Sequence, residues 1–115
     1  MAGREPVLNR RLVLEDRVRV ADGAGGFVES WEALGTLWAA MEARRGREVA
    51  REALPASAVP YRITVRAAPP GRPERPRAEQ RLREGARVFR ILAVAETDRG
   101  GRFLVCEAVE EEVSA

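Results

Sequence analysis

Apolar and polar residues alternate along most of this chain with a period of two, the pattern of half-buried β-strands. In residues 12–20, Leu12, Leu14, Val18 and Val20 share one face and Val13, Glu15, Arg17 and Arg19 the other, with Asp16 alone breaking the apolar side. Asp22-Gly23-Ala24-Gly25-Gly26 supplies residues that tolerate positive φ, so a hairpin into a second strand from Phe27 is expected. Residues 61–68 read as a strand with Tyr61, Ile63, Val65 and Ala67 inward. Residues 88–96 are apolar on both faces, as a strand covered from two sides would be, and Asp98-Arg99-Gly100-Gly101 turns them into residues 103–109.

Three stretches read less simply. In residues 31–41, Trp31, Leu34, Trp38 and Met41 fall at helical spacing, yet Gly35-Thr36 sits badly in a helix, so helix and bent strand both remain open. Residues 46–54 carry helix formers and stop at Pro55, predicting a short helix or a loop with one helical turn. Residues 69–77 hold four prolines and three arginines and predict an extended, exposed loop, followed by a short edge strand over 79–83 and a Glu84-Gly85 turn. The expected fold class is all-β: a small barrel or sandwich of five to six or more antiparallel strands, with one short helix or long loop. One domain spans residues 1–115, with flexible ends at about 1–7 and 110–115, where the glutamates read as a solvated end.

Composition narrows the chemistry. Apolar residues make up 45% and charged residues 33%, so a folded domain is expected. All 20 basic residues are arginine and histidine is absent, which removes imidazole general bases and lysine Schiff bases. GC-rich codon usage explains the arginines without function; phosphate-binding forks are the functional alternative. The single cysteine, Cys106, lies mid-strand with no base to activate it and reads as buried packing. Neither glycines nor acids have the spacing of a phosphate loop or calcium loop. No enzyme, cofactor or metal is therefore expected. No signal-peptide segment opens the chain and no apolar run approaches a membrane span, so synthesis in a reducing cytoplasm and no membrane partner are expected.

A net charge of +2 does not imply nucleic acid, but the charge is unevenly spread. Residues 62–90 hold nine arginines against three glutamates, and residues 96–112 six acids against two arginines. Two such poles suit head-to-tail association of copies, unless neighbouring strands neutralise one another within the monomer.

In order, the chain shows Trp31, Leu34-Gly35-Thr36-Leu37-Trp38-Ala39, Gly46-Arg47-Glu48, Tyr61-Arg62-Ile63-Thr64-Val65-Arg66, Arg90-Ile91-Leu92 and Cys106-Glu107. This order, over residues 8–107, resembles the head-tail joining family of tailed phages and gene transfer agents, also called head-completion, head-closure or stopper proteins. The resemblance implies a small β-barrel and resolves residues 31–41 as strand. Its core would include Trp31, Trp38, Tyr61, Ile63, Val65, Phe89, Ile91 and Phe103. It also implies a ring of copies, six-fold favoured and twelve-fold possible, in the neck of the particle between a portal-side adaptor and a tail terminator or tail protein. An excursion over residues 43–60, with Arg44, Arg45, Arg47 and Arg51, would face packaged double-stranded DNA without reading sequence. The proline-rich loop, with Arg72, Arg75 and Arg77, would dock to a neighbouring ring. The rival reading is a nucleic-acid-binding barrel of the oligonucleotide-binding type; with an aromatic content of 5%, and Phe27, Trp31, Trp38, Tyr61, Phe89 and Phe103 mostly needed for the core, few stacking platforms are expected to remain.

Overall fold

The computed structural model describes residues 5–44, 58–97 and 100–111. Six antiparallel strands follow one another: β1 (Arg10–Ala21), β2 (Phe27–Ala43), β3 (Val59–Arg66), β4 (Arg81–Glu84), β5 (Arg87–Glu96) and β6 (Phe103–Glu111). They close a barrel in the order β1-β2-β3-β6-β5-β4, which leaves no strand edge at its waist. The all-β expectation holds, and residues 31–41 are strand. The helix or loop expected at 46–54 lies outside the described residues. The final strand continues through Glu110 and Glu111, which are therefore not a loose end.

The turns follow from their residues. Asp22 Oδ1 accepts hydrogen bonds from the Ala24 and Gly26 amides at 2.8 and 3.0 Å, while Gly23 and Gly25 take φ of +81° and +89°. Glu84 pairs with Arg87 across a two-residue Gly85-Ala86 loop in which only Gly85 has positive φ, the geometry of a type II′ hairpin.

Every strand contributes to the core: Leu12 and Leu14, Ala39, Ile63 and Val65, Leu82, Phe89 and Ile91, then Leu104, Cys106 and Ala108. Tyr61 is half-buried and meets Phe89 edge-on at 5.1 Å, and Phe103 is buried beneath the guanidinium groups of Arg66 and Arg102. Two expected core residues are not core. Register decides the case of Trp38: Leu37 pairs with Leu12 and Ala39 with Val65, so Trp38 between them points outward and is 54% exposed. A bulge at Leu34 then shifts the β1–β2 register. Beyond it Trp31 lies on the outer face, half-buried between Arg17 at 5.7 Å and Arg81 at 4.1 Å.

The β1–β2 ladder outruns the barrel. β1 meets β4 only over Val13–Glu15 and β2 meets β3 only over Ala39–Ala43, whereas β1 and β2 pair with each other out to Ala21 and Phe27. The outer part of this hairpin is thus a two-stranded arm, consistent with a molecule 56 Å long and 24 Å thick. Val18 and Val20 do share the face of Leu12 and Leu14, as the alternation predicts, but no core lies beneath them on the arm. Val20, Phe27 and Val28 are 46%, 60% and 52% exposed.

Candidate interaction surfaces

Residues 67–80 form a chain of turns rather than the expected extended loop. Arg75 Nη1 donates to the Ala68 carbonyl at 2.7 Å, the Gln80 side chain accepts from the Arg77 amide at 2.8 Å, and Pro76 and Gln80 are buried. Of the three arginines expected to dock a neighbour, Arg72 pairs with Glu74 at 3.4 Å and Arg77 with Asp16 at 3.6 Å. The loop therefore closes one end of the barrel against the base of the arm. Between them runs a groove of about 320 Å³ lined by Asp16, Leu34, Arg72, Arg75, Arg77 and Gln80.

Of the four arginines expected to face DNA, only Arg44 is described; Arg45, Arg47 and Arg51 lie outside the described residues. The Arg44 amide donates to the Pro60 carbonyl at 2.8 Å, and its side chain, 13% exposed, pairs with Glu107 at 3.8 Å. Arg44 thus anchors the start of the excursion to the barrel wall.

The two charge poles read from the sequence neutralise each other, because the strands that carry them are neighbours. Arg62 meets Glu107 at 3.7 Å, Arg87 meets Glu110 at 2.8 Å, and Arg90 meets Glu111 at 2.9 Å. A cluster the alternation does not reveal lies on the outer face where β1 meets β4. Glu15 is buried there and accepts from Arg81 Nε at 2.6 Å and Arg83 Nε at 2.9 Å, while Arg81 stacks on Trp31. Its only sequence signal is a glutamate beside an apolar run; the pairing register brings in its partners from more than sixty residues away.

Burial works to raise the Glu15 pKa, but the hydrogen bonds from Arg81 and Arg83 outweigh it and hold the carboxyl below its ordinary 4.5. A bidentate hydrogen bond from Arg10 lowers Glu84, and one from Arg87 lowers Glu110. In each case the unfolded chain binds the proton more tightly. The contribution of these pairs to stability is therefore complete above the ordinary glutamate pKa and is lost as pH falls through the lower folded values. We expect the urea midpoint to stay level from about pH 6 to 8, as a chain without histidine should, and to drop once pH passes below about 4.5.

Cys106 is buried in the core, and burial, assisted by the Glu107 charge, pushes its thiol up to about 12. That is the behaviour of a packing residue. Among the described residues no group of histidine, cysteine and carboxylate side chains is arranged to hold a metal ion, and no helix is long and apolar enough to cross a membrane.

One wall of the barrel is uncharged and only half-buried. Ala40, Thr64, Val105 and Ala95 are opposite one another on β2, β3, β6 and β5 and form an uncharged row across four strands. The apolar 88–96 segment is covered on both sides at its start, where Val88 and Phe89 are both buried, and on one side beyond the register shift, where Ala93 and Ala95 are exposed. Trp38 borders the row; Arg11 is its register partner on β1, and Arg66 follows Val65 on the other side.

Comparison with known proteins places this geometry in context. The family model described as phage head completion protein matches residues 4–112. A chain of the virion of a native gene transfer agent particle is 58% identical, with 96% of this chain and 100% of that chain covered and a TM-score of 0.77. Protein SF1141 from Shigella flexneri 2a, known from a solution structure, is 24% identical over 90% of this chain and 92% of its own, with a TM-score of 0.62, a likeness of fold. Among curated proteins none matches.

Proposed function

The chain belongs to the phage head completion protein family, and from that premise we propose that it is a head-tail connector of the stopper type. In this reading copies form a ring in the neck of a phage-like particle, between the portal or its adaptor and the tail. The ring helps retain packaged DNA and offers the tail a docking face. The observation that carries the reading is the near full-length likeness to a chain of a gene transfer agent virion. The architecture supports it. A barrel with no orphaned buried polar side chain among the described residues is a stable module, and it adds a projecting arm with exposed valines and an uncharged, half-buried wall. A structural particle protein needs surfaces of this kind and no catalytic residues, which agrees with the missing histidine and lysine and the unreactive Cys106.

DNA retention falls to the excursion after β2. Arg44, tied to Glu107, fixes its base, and Arg45, Arg47 and Arg51 supply charges that meet phosphates without reading bases. Changing those three arginines together to alanine is expected to leave the melting temperature of the purified chain unaltered while particles lose packaged DNA. Particles of the triple variant that hold DNA as well as wild type would remove the lining role. Single-strand binding on a stacking platform finds less support. The two exposed aromatics, Phe27 and Trp38, are separated by eleven residues of one strand, about 35 Å, too far for successive bases.

A further inference from the structure

The projecting arm and the barrel wall complement each other in polarity and charge. One face of the arm carries Val18, Val20, Val28 and Ser30, with Glu32 at its base; Val20 pairs with Val28 and Val18 with Ser30. The wall carries the uncharged row of Ala40, Thr64, Val105 and Ala95, with Trp38 beside it and Arg11 and Arg66 at that border. Glu32, Arg11 and Arg66 make no ion pair among the described residues, although most of the charged side chains around them do. Four residues of strand separate Val28 from Glu32, about 13 Å; Arg66 lies one strand from Val105 and two residues along, about 8 Å, and Arg11 three strands away and two residues along, about 16 Å. An arm laid across the wall therefore sets its apolar tip on the row while Glu32 reaches Arg11 and Arg66.

We propose that this contact is made between copies: the arm of one subunit lies across the wall of the next, Val20 and Val28 covering Val105 and Ala95, and Glu32 pairing with Arg11 and Arg66. The contact cannot form within one chain, because Val28 and Trp38 stand ten residues apart on the same continuous strand. A two-stranded ribbon with exposed valines on one face is marginal in water and gains stability once that face is covered. The two patches differ, so each copy offers an arm to one neighbour and a wall to the other, an arrangement that closes into a ring when the rotation permits. This inference rests on the connector reading and adds the surfaces that build the ring.

The test introduces Val28→Cys and Ala95→Cys together and treats assembled particles with a short bismaleimide; native Cys106, buried and protonated, does not compete. The expected product is a covalent ladder extending beyond the dimer, with neither single variant joining to itself. Dimers from Val28→Cys alone would mean a symmetric tip-to-tip contact and would overturn the proposal. So would the lack of a ladder in particles whose necks show a ring of this chain. Necks with no such ring would instead overturn the connector reading itself. Independently, Glu32→Arg should reduce incorporation into particles on the order of tenfold, and adding Arg11→Glu with Arg66→Glu should restore it. Normal incorporation of Glu32→Arg, or failure of the swap to rescue it, would count against the pairing.

Discussion

Phe89→Ala is expected to cost about 3–5 kcal/mol, much of the stability a domain of this size possesses. Phe89 is fully buried, is among the largest side chains in the core, and packs edge-on against Tyr61. In a six-stranded barrel with a thin core, each strand meets the others through one to three inward side chains. A cavity at Phe89 therefore sits among several strands at once and cannot be filled by moving one of them. Chemical denaturation should show a large fall in the urea midpoint with little change in slope. Trp38→Ala supplies the contrast, since an exposed side chain of still greater bulk should alter stability by less than about 0.5 kcal/mol. A comparable loss from both variants would mean that the register of β2 is not the one described.

Glu15→Gln is the second large effect, about 2 kcal/mol at neutral pH. The amide keeps the shape of the carboxylate but cannot accept from both guanidinium groups with a full negative charge, so Arg81 and Arg83 lose their common partner. Their partial exposure to water keeps the cost below that of a fully enclosed triad. The pH profile identifies the cause. Because the Glu15 carboxyl is held below its ordinary value, the difference between wild type and Glu15→Gln should be full at pH 7 and shrink as acid protonates the wild-type group. A difference that persists unchanged into acid would assign the loss to packing.

These two residues also show how far the sequence can be read. Ile63 and Val65 were legible because strict alternation fixes which side of a strand faces inward, whereas Phe89 and Ile91 stood in a run apolar on both faces and were legible as strand but not by parity; the turns at Asp22 and Gly85 carry residues suited to positive φ. Glu15 was legible only as an outward residue. Its burial depends on β4 arriving alongside β1, a pairing between positions more than sixty residues apart. The tryptophans failed for a different reason. Their spacing of seven mimics a helical stripe, and their bulk argues for a core, yet Leu37, Ala39 and Met41 set the inward parity of β2 and leave Trp38 outside. The bulge at Leu34 then changes how Trp31 is placed relative to them.

The candidate surfaces were less legible still. Composition drew attention to runs of like charge, but a barrel brings distant strands side by side, and most of those charges pair internally. The proline-rich segment was recognisable as a loop, whereas its anchoring through Arg75, Arg77 and Gln80 needs the fold. The arm was hidden in the length of β1 and β2: alternation continues past the barrel, and nothing in the pattern marks where the core beneath it ends.

Electron microscopy of assembled particles, with this chain located by an epitope label, tests the connector reading most directly. The account predicts a closed ring of these barrels in the neck, between head and tail. Particles that lack the chain there, or that hold it as isolated copies within the head, would contradict it.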